Sequence, residues 1–361
     1  MKLTSAILPA VILAFGLAAS AAAQEAVFQG DVRTVADDTA RPLMESMRDN
    51  AKRFFSANED REVWVGYDVT ARLRLRSSFS RGGGSTHFSH GISMVNGIVI
   101  SYPEKGILPA GSERKAILYL FADTNGATKL SRVVVLDMSE RYYFELPLLL
   151  MEGVSDERSI SALRLVLDGK EGIKARESAL PAVAVHVGDE PRVILEGIVR
   201  GNDSADFRKD ALFWLGYTVE KDDLSMLVAL EKELKNPEVR KQLTFVYYLM
   251  KDDRATDRMI YMARNDSSRD VRKQAIFWMG QLANAKAKAE LERAIEDDPD
   301  IEIKKQAVFA LSQMEGRGSI ESLMRIARTN KSPAVRKQAI FWISQSGDER
   351  AVDFLVELLK K

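Results

Sequence analysis

The chain has 361 residues, enough for two ordinary domains or one elongated one. Apolar residues make up 46%, which suffices for a core and excludes global disorder. Lys plus Arg and Asp plus Glu each number 52, which excludes a wholesale polyanion binder, and the lack of cysteine excludes disulfides, thiolate metal sites and a cysteine nucleophile.

The first segment reads as an address. Met1-Lys2 carries one positive charge, residues 6–19 are an uncharged apolar run, and Ala21-Ala22-Ala23 precedes Gln24-Glu25. This is the layout of a secretory signal, with cleavage expected after Ala23. The alternative is an uncleaved anchor, because residues 5–23 approach the ~20 residues a bilayer span requires. Small residues at its end favour cleavage, and no lipobox cysteine is present. No later run is long enough to span, so the mature chain is expected to be exported, periplasmic or extracellular, and without a membrane span.

Residues 24–59 form an N-terminal helical segment. Leu43, Met44, Met47, Ala51, Phe54 and Phe55 share one helical face, and Pro42 stands near its start, where proline is tolerated. Residues 60–146 change to a period of two. Val69, Ala71, Leu73 and Leu75 alternate with Thr70, Arg72, Arg74 and Arg76, the pattern of a half-buried strand. A Gly/Ser-rich loop over 77–91 precedes a strand over 97–102. Runs at 116–122 and 130–138 flank Asp123-Thr124-Asn125-Gly126, a hairpin signal because Asn and Gly tolerate positive φ. The expectation is a small, mainly antiparallel β domain of about four strands that caps the array following it.

From 147 to 361 the chain repeats every 32 residues. FRKDALFWL begins at Phe207, VRKQLTFVY at Val239, VRKQAIFWM at Val271, IKKQAVFAL at Ile303 and VRKQAIFWI at Val335, with a weaker copy, ARESALPAV, at Ala175. A second landmark keeps step at Leu163, Leu195, Leu227, Met259, Leu291, Leu323 and Leu355. Each unit reads as two amphipathic helices: Val335, Ala339, Trp342 and Ile343 line one face of the first, and Ala351, Phe354, Leu355 and Leu358 one face of the second, with Asp348 as N-cap. One such hairpin cannot bury both faces. Stacked copies can, which gives an α-solenoid.

The V-R-x-x-A-x-x-x-L pattern opening a helix after an Asp/Asn-Pro type of turn resembles HEAT repeats, and the short period is similar to the HEAT-like repeats named after phycobilisome lyases. The resemblance covers 147–361 and implies an array that scaffolds protein–protein contacts, with the first helix of each unit on the concave side. Some relatives act on bilins, but the pattern places no catalytic residue on this chain. The order of signal, β domain and HEAT-like array is similar to that of exported bacterial proteins. The fold class is therefore α+β and multidomain.

Position two of the first helix is Lys209, Lys241, Lys273, Lys305 and Lys337, about 200° round the helix from the buried position zero. Position six, one turn on, is Phe213, Phe245, Phe277, Phe309 and Phe341. Together they are the candidate partner-binding rows; a solvated face and inter-repeat packing are the plainer readings. Position one holds Arg208, Arg240, Arg272 and Arg336, with Lys304 in the fourth copy. Acids just before them, including Asp206, Glu238 and Asp270, lead to the expectation of a structural Arg–acid ladder between neighbouring repeats. His87 and His90, in the loop over 81–90, are two ligands where a catalytic zinc needs three. His186 is read as structural or exposed. No metal, cofactor or catalytic residue is assigned.

The favoured reading is an exported, non-enzymatic interaction scaffold or assembly factor with a protein partner and no nucleic acid. One alternative is an enzyme with its site in the β domain and the solenoid recruiting substrate. It requires a pocket with converging acids or histidines within 60–145. The other is an anionic envelope polymer held by the lysine row, which requires steep salt dependence.

Overall fold

The computed structural model describes residues 27–71, 92–95, 98–101, 113–138, 141–282, 284–314 and 317–359. The expected signal, the strand continuation over 72–76 and the loop with His87 and His90 lie outside them. The chain divides into two compact units, Met1–Ile194 and Leu195–Lys361. The expected boundary at 146/147 differs from this division, because the residues just after it belong to a sheet rather than to a helical repeat.

The described residues of unit one form nine strands: β1 Phe28–Gln29, β2 Val32–Val35, β3 Glu62–Thr70, β4 Ile92–Val95, β5 Ile98–Ser101, β6 Arg114–Thr124, β7 Ala127–Asp137, β8 Arg141–Phe144 and β9 Leu148–Met151. They build a five-stranded sheet, β2-β9-β3-β6-β7, and a four-stranded one, β1-β8-β5-β4. The β6–β7 hairpin turns where the Asn-Gly signal stands: Asn125 and Gly126 have φ of 54° and 81°, the sign pattern of a type I′ turn. The long pairings β3–β6 and β6–β7 are antiparallel, as are β4–β5 and β5–β8, in line with the mainly antiparallel expectation, and short parallel pairings join them. β9 runs parallel to both β2 and β3, and β1 runs parallel to β8. The run Leu148-Leu149-Leu150-Met151 is buried at every position. A strand covered on both faces shows no alternation, so the sequence pattern passed over it.

One face of the five-stranded sheet joins the other sheet in a core of Phe28, Trp64, Leu118, Leu120, Val134, Tyr142, Phe144 and Leu148. Its other face is covered by α1 (Leu43–Ala57) and α3 (Ile173–Ala184). Between these helices in sequence, α2 (Asp156–Leu165) continues into a π-turn at Val166–Lys170. Helix α4, Glu190–Arg200, spans the division between the units.

Unit two is the helical array. Its first helices, α5 Ala205–Leu215, α7 Pro237–Met250, α9 Arg269–Gly280, α11 Ile301–Ser312 and α13 Pro333–Gln345, begin 32 residues apart. The second helices are α6 Leu224–Glu233, α8 Asp253–Asn265, α10 Ala285–Asp297, α12 Arg317–Thr329 and α14 Glu349–Leu359. Four of the first helices are capped at the same place: Ser204, Asn236, Asp300 and Ser332 each accept a backbone N–H. Asp348 accepts the Arg350 N–H at 2.9 Å, as the sequence led one to expect. Positions zero, four and eight of every first helix are buried, from Phe207, Ala211 and Leu215 to Val335, Ala339 and Ile343. Successive first helices pack on one another along the array.

Candidate functional site

The face of the first helices that turns away from the core carries three rows. Positions two, three and six fall within about 100° of one another round a helix. They hold lysine, glutamine and phenylalanine, except that α5 has Asp210 at position three, and position three pairs with position six as an i,i+3 neighbour. The glutamines, Gln242, Gln274, Gln306 and Gln338, were not singled out in the sequence because amides carry no charge pattern to follow.

Lys337 is exposed, the other four lysines are partly covered, and three of the five are paired. Lys209 bonds Asp206 at 2.7 Å, Lys241 bonds Glu238 at 2.8 Å, and Lys305 bonds Glu302 at 2.9 Å. The hydrogen bond from Lys209 lowers the pKa of Asp206, and those from Lys241 and Lys305 lower Glu238 and Glu302. Lys273 and Asp270 form no ion pair among the described residues. They border, with Lys241, Gln274, Gln306 and Phe277, a notch of about 250 Å³. None of the four glutamine side chains makes a hydrogen bond among the described residues.

Two of the acids expected in a ladder between neighbouring repeats take lysines of their own helix, and Arg240 and Arg272 meet other acids. Asp206 and Glu238 serve the lysine three residues on, not the arginine two residues on, because i,i+2 side chains diverge on a helix whereas i,i+3 side chains meet. The arginines reach backwards instead. Arg208 donates to the Val199 carbonyl at 2.8 Å, Arg240 to Leu234 at 2.7 Å, Arg272 to Asp266 at 3.3 Å and Arg336 to Asn330 at 2.8 Å. Arg176 does the same to Leu167 at 2.9 Å, and Lys304 to Glu296 at 2.5 Å. Each cation thus satisfies a carbonyl at or just beyond the end of the preceding helix, where the dipole favours positive charge. Acids from the following inter-repeat turn join them: Asp266 takes Arg240 in two bonds, at 2.5 and 2.8 Å, and Asp300 takes Arg272 at 3.4 Å.

The phenylalanines run into a continuous aromatic stack. Phe213 lies flat on Phe245 with centroids 5.2 Å apart, Phe245 meets Trp278 at 4.9 Å, Phe277 stacks on Phe309 at 6.4 Å, and Phe309 meets Trp342 at 5.0 Å. Tyr248 stacks on Trp278 at 4.8 Å. The rings therefore join neighbouring repeats and still present surface: Phe213, Phe277 and Phe309 are half-buried, and Phe341 is 51% exposed.

In unit one, several polar groups converge under cover. Tyr119, Tyr67, Ser159 and His186 form a chain with O···O and O···N distances of 2.8 Å at each link, and all four are buried. The Ala182 carbonyl accepts from His186 Nδ1 at 2.7 Å. Nε2 therefore accepts from Ser159, which accepts from Tyr67 in turn. Burial lowers the pKa of His186 and raises those of both tyrosines. Lys115 and Asp137 form a buried ion pair at 2.6 Å. A cavity of about 170 Å³ is bordered by Asp37, Asp38, Ser46, Asp49, Asn50 and Arg53, outside the 60–145 stretch that the enzyme reading requires. Among the described residues no group of three or more His, Asp or Glu side chains is placed to hold a metal ion, and no helix is long and apolar enough to cross a membrane.

A family model for HEAT repeats matches residues 256–341 and 294–361. No curated protein matches the sequence. Among solved structures, the complex of CpcE and CpcF of phycocyanin lyase from Nostoc sp. PCC7120 is similar, with 18% identity over 42% of this chain and 96% of that one and a TM-score of 0.32. The Escherichia coli protein YibA shows 17% identity over 58% and 84% of the two chains, with a TM-score of 0.33. Human deoxyhypusine hydroxylase shows 19% identity over 57% and 79%, with a TM-score of 0.32.

Proposed function

We propose that this chain, whose C-terminal part is built of HEAT-like repeats, is an exported scaffold or assembly factor. It holds a protein partner on the lysine, glutamine and phenylalanine face of its first helices. The observation that carries this reading is the repetition of lysine and phenylalanine across five consecutive first helices, from Lys209 and Phe213 to Lys337 and Phe341, with glutamine between them in the last four. It offers amides and partly exposed rings together, the mixture found at the centre of interfaces. Export rests on the N-terminal pattern, with a mature protein beginning at Gln24.

Three of the five lysines already have an acid beside them. A row neutralised in this way favours a polypeptide over an anionic polymer. The test is capture of partners from the native envelope or secreted fraction by wild type and by a Lys241→Glu, Lys273→Glu, Lys305→Glu variant, with circular dichroism to show that both fold. A protein retained by wild type and lost by the folded variant is the expected result. Equal retention by both would remove the face from the account.

A further inference from the structure

We propose that the chain pairs with a second copy of itself through the outer face of its last described repeat, the first helix α13 of each copy packing on the second helix α14 of the other. This contact does not depend on the scaffold reading above.

The repeats themselves show where the face lies. Position five of the first helix is buried in four repeats, as Leu212, Thr244, Ile276 and Val308, where successive first helices pack on one another. Ile340 holds that position in α13 and is only half-buried. On the second helices, Leu227, Met259, Leu291 and Leu323 are all buried, whereas their counterpart Leu355 is half-buried. Ile320 is 5% exposed, and Val352, which holds the same place in the last repeat, is 66% exposed. Phe341 and Val356 are also exposed. Val352 and Val356 lie one turn apart on one stripe of α14, and Ile340 and Phe341 adjoin Lys337 on α13. A repeat with nothing stacked beyond it stays soluble when its outer face is polar. This one is apolar, the mark of a surface that meets another protein.

Charge selects the occupant. In α5, α7 and α11 the lysine at position two is paired with the acid three residues before it. In α13 that place is Ala334, and Lys337 is exposed with no ion pair among the described residues. On α14, Glu349 and Asp353 are exposed, one turn apart and next to Val352 and Val356, and likewise have no ion pair among the described residues. The first helix therefore offers an open cation beside apolar side chains, and the second offers open acids beside apolar side chains. An acidic partner would suit only α13, and a basic one only α14. A second copy related by a two-fold axis suits both, because every contact of α13 with the other α14 occurs twice. Packing α13 on α13, or α14 on α14, would set like charges together, so the crossed arrangement is the favoured one.

The test is analytical ultracentrifugation of the purified full chain and its variants, with circular dichroism to show that each folds. Wild type is expected to pass from monomer to dimer as its concentration rises through the micromolar range. Val352→Asp with Val356→Asp places uncompensated charge in the contact and is expected to weaken association by at least about tenfold. Lys337→Glu alone and Asp353→Lys alone are each expected to weaken it as well, because each sets like charges across the axis twice. An equimolar mixture of these two single variants is expected to recover the dimer, since both contacts then join unlike charges. A wild type that stays monomeric throughout, a Val352→Asp, Val356→Asp variant that associates as well as wild type, or a mixture that associates no better than its components would each overturn the proposal.

Discussion

His186 ends a buried hydrogen-bonded chain that runs through Ser159 and Tyr67 to Tyr119. Its place in the weakest repeat copy left a structural role and exposure both open. Its hydrogen-bond partner, Ser159, is 27 residues away on another helix, and no local pattern links them. In the fold the imidazole is buried and neutral, with its pKa below the ordinary 6.5 because burial disfavours the cation more than Asp156 and Glu190 favour it. The unfolded chain takes up a proton below about 6.5 that the folded chain resists. Stability is therefore expected to be full above that value and to fall as the pH drops from 6.5 through the lower folded value. Protonation would also force the Ser159 and Tyr67 hydroxyls to turn, since Nε2 would become a donor. Urea midpoints at pH 7.5 and 5.0 for wild type and His186→Gln check this. A smaller loss in the variant is expected, and equal losses would show that His186 does not drive the dependence.

At the scale of elements, legibility followed period. The rows starting at Phe207, Val239, Val271, Ile303 and Val335 announced five first helices, because positions zero, four and eight must be apolar in each. The Asn125-Gly126 turn was legible for a different reason: few other residues accept two successive positive φ angles. Strands β1, β2 and β9 were missed. They are two to four residues long and pair in parallel with partners more than a hundred residues away for β1 and β2, contacts that leave no local signature. The close approach of α9 and α11 was also hidden. A Cβ on Gly280 would stand 2.6 Å from the Ala310 carbonyl oxygen and 2.9 Å from the Ala310 Cα. Gly197, in α4, has open space at the same test. Gly280→Ala is expected to destabilise by about 1–3 kcal/mol through overpacking, whereas Gly197→Ala is expected to stabilise by up to about 1 kcal/mol through helix propensity. Thermal and urea denaturation check the pair. Stabilisation by both would mean that the helices are not in contact at Ala310.

At the scale of the whole molecule, the array in unit two divides its labour between two surfaces. On the second helices, successive repeats are joined by charge: Arg258 to Glu231 at 2.6 Å, Arg328 to Glu357 at 2.6 Å and Arg350 to Glu321 at 2.9 Å. Several of these pairs are exposed and individually weak. On the first helices, repeats are joined by rings, and the amides beside them are left unspent. The sequence located the lysine and phenylalanine rows but not the glutamines between them, and it matched the acids to the wrong cations. Charge and apolarity can be followed along a sequence, whereas which polar side chains share a surface becomes visible only when the helices are placed.

On the reading proposed above, the first-helix face, and not the second-helix face, meets the partner. The most direct measurement is photo-crosslinking in the native host from a benzoylphenylalanine placed at Gln274 in α9 and, separately, at Ala289, an exposed position on the second helix α10. A discrete adduct from Gln274 and none from Ala289 is expected. An adduct from Ala289 with none from Gln274 would contradict the claim and move the interface to the opposite surface.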